Sequence, residues 1–210
     1  MYIYEGPLEK LEQGAKIAIV VAKFNESITG NLLKGALNTL EQYGVDPDDV
    51  SVCWAPGAFE IPLVAERLGS SGEFEAIICL GAVIKGETSH DEHINRAVSL
   101  SLMRIGIDLS LPVIFGVLTC NTVEQAIARS GGTPQSRDKA APDAKAGNKG
   151  SEAAEAAIQM IHLLEQLPEA SSLGQDFLET MMAGPLGLVG GEEEVSDESF
   201  LNEEFDDEEP

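Results

Sequence analysis

Ala76-Ile-Ile-Cys-Leu-Gly-Ala-Val-Ile-Lys-Gly-Glu-Thr-Ser-His90 is the stretch on which the fold turns. Its opening residues are apolar without a polar break. A short run of that kind, here Ala76 to Leu80, reads as the buried part of a strand placed at Phe74 to Leu80. At Gly81 the run gives way to glycine, hydroxyl groups and one imidazole. Directly afterwards Ile94, Ala97, Val98, Ser101, Leu102 and Ile105 recur at three and four, which predicts an amphipathic helix over Asp91–Leu109. A strand end, a small turn and a helix start make a place where backbone N–H groups face an anion. His90 beside it can move protons near neutral pH. The combination points to an enzyme acting on a small phosphorylated molecule.

The same alternation surrounds this unit. Lys16–Ala22 and Val50–Trp54 read as strands. Between them Ile28, Leu32, Leu33, Ala36, Leu37 and Leu40 give one helical stripe over Ser27–Tyr43, stopped by Gly44. Phe59–Leu68 is predicted helical, with Pro62 in the first turn, where a missing N–H is tolerated. Pro112–Leu118 is the fourth strand. Thr122-Val-Glu-Gln125 has the form of a capping box opening a helix to Ser130, and Asn148–Leu167 is a final alanine-rich helix. Strand and helix alternating four times predict a three-layer, doubly wound α/β domain on a four-stranded parallel sheet, the flavodoxin-like arrangement. Ligands in such sheets sit beyond the carboxyl ends of the strands. Phe24-Asn25, Ala58-Phe59-Glu60, Val83 to His90 and Thr119-Cys120 are the segments expected there.

Of 210 residues, 36 are acidic and 13 basic, for a formal net charge of −23. Fourteen of the acidic residues and none of the basic ones fall in Pro168–Pro210. The body, 1–167, is therefore a mildly acidic domain, and 168–210 reads as an acidic, unfolded tail. Neither offers a basic face, which argues against nucleic acid as a partner. No apolar run approaches the roughly 18 residues of a membrane span, and the N-terminus lacks the pattern of a signal peptide. Three sparse cysteines, Cys53, Cys79 and Cys120, read as reduced thiols of a cytoplasmic protein. Residues 131–146, rich in Gly, Pro, Ser, Asp and Lys, read as an exposed loop inserted into the domain.

Five blocks in order carry a resemblance: Ala22-Lys-Phe-Asn25, Pro56-Gly-Ala-Phe-Glu-Ile-Pro62, Gly81-Ala-Val-Ile-Lys-Gly86 with Thr88 and His90, Pro112-Val-Ile-Phe-Gly-Val117, and Ala146-Gly-Asn-Lys-Gly150. From about Gly14 to Leu167 the chain resembles the lumazine synthases of riboflavin biosynthesis. The resemblance implies condensation of 5-amino-6-ribitylaminouracil with 3,4-dihydroxy-2-butanone 4-phosphate. The products are 6,7-dimethyl-8-ribityllumazine, phosphate and water. It also implies no metal or organic cofactor, and active sites between neighbouring subunits of a homopentamer. By the same resemblance His90 is the proton-transfer residue, Gly86, Glu87 and Thr88 form the phosphate-binding turn, and Lys85 before it is a substrate-binding residue. Arg129 pairs with the phosphate. Phe24, next to Asn25, stacks on the pyrimidine. Ala58, Phe59 and Glu60 receive the ribityl chain, and Val83 and Ile84 offer main-chain groups to the ring. Phe115 reaches into the neighbour's site, and Lys149 and Glu152 complete the pocket.

Each residue has a plainer reading: a solvated helix-start histidine, a first-turn acid favoured by the helix dipole, a surface ion pair between Lys149 and Glu152, a core aromatic at Phe115. Two features depart from the family's pattern. Asp91 stands where an aromatic is usual, and a carboxylate within reach of His90 would favour the charged imidazole. The Arg129–Lys149 connection is longer than usual, and in the family such lengthening goes with free pentamers or decamers rather than icosahedral shells. A pentamer is therefore expected. Rival readings are a non-catalytic flavin or lumazine binder, a riboflavin synthase of the same fold, and a structural shell.

Overall fold

The computed structural model describes residues 1–12, 14–132 and 147–168. Four parallel strands, β1 (Ile17–Ala22), β2 (Val50–Ala55), β3 (Ala76–Ile84) and β4 (Val113–Cys120), form one sheet in the order β2-β1-β3-β4. The helices are α1 (Glu26–Gln42), α2 (Ile61–Gly69), α3 (His90–Leu109), α4 (Val123–Arg129) and α5 (Lys149–Gln166). The expected doubly wound architecture is present. The expected loop and tail lie outside the described residues, apart from Gly131, Gly132 and Pro168.

Both faces of the sheet are covered, which is why its central strands read as unbroken apolar runs. Ile17, Ile19, Val21, Ile78 and Leu80 pack with Leu32, Ala36 and Leu40 of α1 and Ala154, Ala157 and Ile158 of α5. On the other face Ala18, Val20, Ile77 and Cys79 meet Ile61 and Ala65 of α2 and Val98 and Leu102 of α3. The α1–α5 contact is close because Gly150 carries no side chain: a Cβ there would lie 1.9 Å from the Leu32 carbonyl oxygen.

Several boundaries move by one or two residues, and two differences from expectation bear on the site. The strand predicted to stop at Leu80 continues to Ile84, because β4 goes on pairing beside it from Gly81↔Val117 to Ile84↔Cys120. Gly81 is a strand residue, not a break: a Cβ there would come within 3.2 Å of Val117 and 3.3 Å of Ile61. The helix predicted from Phe59 begins instead as a 3-10 turn over Ala58–Glu60, with α2 proper starting at Ile61. Pro62 has no N–H to give the Ala58 carbonyl, so the turn closes one residue tighter, through the Ile61 N–H.

Two polar clasps close the domain. Asn148 is buried. Its Nδ2 donates to the carbonyls of Asn31 (2.9 Å) and Ser130 (3.0 Å), and its Oδ1 accepts from the N–H groups of Gly150 and Ser151 at the start of α5. Ser130 and Asn148 also form an antiparallel bridge, so the chain leaves α4 and enters α5 at a closed neck. At the other end of α5, His162 Nδ1 lies 2.9 Å from the Pro7 carbonyl oxygen and Gln166 donates to the Glu5 carbonyl at 2.7 Å. They hold the leader segment against the helix.

Candidate active site

A cleft of about 530 Å³ opens at the carboxyl end of the sheet, where β1 and β3 part. This is the switch point of a doubly wound fold. Phe24, Ala58, Phe59, Glu60, Val83, Ile84, Gly86, Thr88 and His90 line it, all named in the sequence. So do Pro56, Gly57, Ala82, Asp91 and Ile94, which the sequence reading did not assign. Pro56 and Gly57 could have been found: they lie between a strand and a helix at the sheet end.

Phe24 and Phe59 are exposed, at 70% and 60%. Two aromatic rings left uncovered beside one cleft offer flat faces for stacking. Glu60 is exposed at the start of α2, and its Oε2 sits over Gly57. The Gly86–Ser89 segment is exposed and enters α3 without a side-chain cap. The Glu92 N–H is taken by the Ser89 carbonyl at 3.1 Å, which leaves the N–H groups of His90 and Asp91 to face an anion at the start of α3. His90, the first residue of α3, is exposed at the same rim.

Among the described residues no hydrogen bond or ion pair joins His90 to Asp91. Asp91 Oδ1 is turned inward and accepts no hydrogen bond, and the same holds for Asn95 Oδ1 one turn on. The carboxylate following the histidine thus does not bind the imidazole in this arrangement.

A second cavity of about 380 Å³ lies along β4 and is lined by Phe115, Arg129, Lys149 and Glu152 together with Ile114, Thr119 and Ala153. Phe115 is 45% exposed, so it is not a core aromatic. Lys149 and Glu152 form an ion pair across one turn of α5. The closed neck at Ser130 and Asn148 places Arg129 and Lys149 on one cavity despite the long connection. Arg129 also makes itself felt at the end of β4. Burial pushes the Cys120 thiol up, and the Arg129 charge opposes that shift.

The sixteen site residues expected from sequence therefore divide. Nine line the first cleft and four the second cavity. Asn25, Lys85 and Glu87 line neither. Lys85 and Glu87 are exposed at the turn after β3. Asn25 is half-buried, and its amide donates to the Ala82 carbonyl at 2.9 Å. The first cleft is lined by the carboxylates Glu60 and Asp91 but by no Lys or Arg. The cations Arg129 and Lys149 line the second cavity instead. Among the described residues no group of His, Cys, Asp and Glu could hold a metal ion, and no helix is long and apolar enough to cross a membrane.

Residues 14–165 match the sequence profile of 6,7-dimethyl-8-ribityllumazine synthase. A protein of that name from Protochlamydia amoebophila (strain UWE25) is 48% identical over 153 residues, which is 73% of this chain and 82% of the relative. A parallel sheet with its cleft at the switch point, a histidine at the cleft rim and agreement across nearly the whole domain lead to one assignment: the chain belongs to the 6,7-dimethyl-8-ribityllumazine synthase family.

Proposed function

We propose that the two cavities are halves of one active site, closed only when the first cleft of one copy meets the second cavity of its neighbour. The reaction is that of the family, a transfer that joins 5-amino-6-ribitylaminouracil to 3,4-dihydroxy-2-butanone 4-phosphate and releases phosphate and water. One observation carries the shared site. A phosphate ester needs a cation beside it, the cleft holding His90 is lined by none, and the cations line a separate cavity on the same chain.

In this reading Phe24 stacks on the pyrimidine, and the ribityl hydroxyls reach Glu60 over the Ala58–Phe59 turn. The strand end at Val83 and Ile84 meets the polar edge of the ring. The phosphate sits on the Gly86–Thr88 turn at the start of α3, and Arg129 of the next copy neutralises it. Lys149, Glu152 and Phe115 close the far wall. His90 passes protons as the imine forms and phosphate leaves. Two reactants held in register account for much of the acceleration, roughly 7–11 kcal/mol in favourable cases. The imidazole adds a smaller factor.

Exposed apolar side chains fit such an assembly. Leu100, Met103 and Ile107 stand uncovered along α3, Leu63 on α2, and Val52 and Trp54 on the edge strand β2. A homopentamer is the assembly proposed, working in the cytoplasm, where the three unpaired thiols remain reduced.

Subunit mixing tests the shared site. A His90→Ala chain and an Arg129→Ala chain, each of low activity, are unfolded together and reassembled. Random assembly places an intact cleft against an intact cation cavity at about a quarter of the interfaces. Activity returning to that level supports the reading. No recovery in a mixed assembly of normal mass overturns it.

A further inference from the structure

The β1–β3 ladder ends at Val21↔Leu80, yet β3 runs on to Ile84 with only β4 beside it. Ile77 and Lys85 donate to the Pro112 and Cys120 carbonyls, so odd-numbered residues of β3 bond to β4. By the alternation of a parallel ladder, Ala82 and Ile84 point their N–H and C=O toward the side that β1 has vacated. The Phe24 N–H, which would continue the ladder, is turned away to the Pro56 carbonyl at 3.1 Å. The Ala82 carbonyl is met instead by a side chain, Asn25 Nδ2 at 2.9 Å.

Asn25 is built for this. It sits at φ 62°, ψ 41°, a left-handed conformation that asparagine tolerates better than most residues. It precedes the first turn of α1, but its side chain makes no capping bond there; the amide is committed to β3. The backbone around it is fixed as well. Its carbonyl accepts from the Ile28 and Thr29 N–H groups, and the Thr29 hydroxyl, buried, donates to the Ala22 carbonyl at 2.8 Å.

We propose that Asn25 is a positioning residue. Its carboxamide replaces the missing rung of the ladder, satisfies Ala82 and so holds the cleft edge of β3 at a fixed distance from Phe24. The ring-binding face and the main-chain edge at Val83 and Ile84 are then one rigid jaw, with Ile84 presenting the next free N–H and C=O. This inference rests on the reading that the first cleft takes the pyrimidine. It assigns Asn25 no contact with substrate.

Two variants separate the amide from the backbone. Asn25→Gly keeps the left-handed conformation and loses the donor. Asn25→Asp keeps the size and turns an oxygen toward the Ala82 carbonyl. Steady-state kinetics with each substrate varied in turn should show KM for the ribitylaminouracil rising about fivefold in Asn25→Gly, as expected for one lost hydrogen bond. The rise should be larger in Asn25→Asp. KM for the ketose phosphate and kcat should change less than twofold in both. A uniform loss in kcat, equal rises in both KM values, or an unchanged pyrimidine KM in assembled Asn25→Gly protein would overturn the proposal. Phe24→Ala is the control for the reading beneath it. If Phe24→Ala raises the pyrimidine KM and Asn25→Gly does not, the positioning role alone fails. If neither does, the cleft assignment fails with it.

Discussion

A Cβ on Gly57 would lie 3.0 Å from Glu60 Oε2, so the bare backbone at 57 makes room for the carboxylate at 60. The residue at 57 is extended, at φ −147°, so an alanine is conformationally acceptable there and its effect falls on the Glu60 side chain. Gly57→Ala should push the carboxylate off its place over the turn at little cost in stability. With part of a charge-assisted hydrogen bond lost, roughly 1 kcal/mol, the ribitylaminouracil KM should rise about fivefold. An unchanged KM would show that Glu60 binds the chain from a different position.

His90 stands at the cleft rim with its ring exposed. General acid–base help is typically worth about 10²–10⁴ in rate, less than the positioning of two reactants. His90→Ala should therefore slow turnover by about a hundredfold and leave measurable lumazine formation. Single-turnover fluorescence on protein of normal assembly mass checks this. Complete silence would mean that the imidazole does more than move protons.

Gly150 faces the Leu32 carbonyl across the α1–α5 contact, and it shares a turn with Lys149 and Glu152. Gly150→Ala cannot be absorbed by a rotamer change, because the obstacle is backbone. Overpacking of this kind costs about 1–3 kcal/mol, and here the upper end is expected in urea unfolding. Activity should fall too, since the helix start carrying Lys149 and Glu152 is displaced. Full activity with normal stability would contradict the close packing.

Burial pushes the Cys79 thiol far above its ordinary value. The native state thus keeps a proton that the unfolded chain releases at alkaline pH. Stability associated with Cys79 is intact below the unfolded thiol value, about 8.5, and declines as pH rises above it. Comparing urea midpoints at pH 7 and pH 10 should show a smaller alkaline loss in Cys79→Ala than in the native sequence. Equal losses would show that the thiol does not stay neutral in the fold. Alkylation of folded protein should proceed at half-buried Cys53 before Cys79.

The strands were legible because β1 and β3 are buried on both faces, and such segments must be continuously apolar. The extent of β3 was not, because glycine marks a turn and a crowded strand position with the same letter. Only the contacts of Gly81 with Val117 and Ile61 distinguish them. Most of the polar and aromatic residues that line the two cavities could be named from their blocks. Their separation into two cavities could not, since spacing along the chain does not say which side of β4 Phe115 and Arg129 occupy. The docking of Glu5 and Pro7 on Gln166 and His162 was equally hidden. It links residues more than 150 positions apart through main-chain carbonyls, which have no sequence signature.

The bridge between Ser130 and Asn148 makes the length of what lies between them immaterial to the cation cavity. Each doubling of such a loop adds only about 0.6 kcal/mol of closure entropy, and the anchor does not move with it. Peptide put in place of residues 133–146 should therefore leave Arg129 and Lys149 on one cavity, which makes the Ser130–Asn148 neck a graft point.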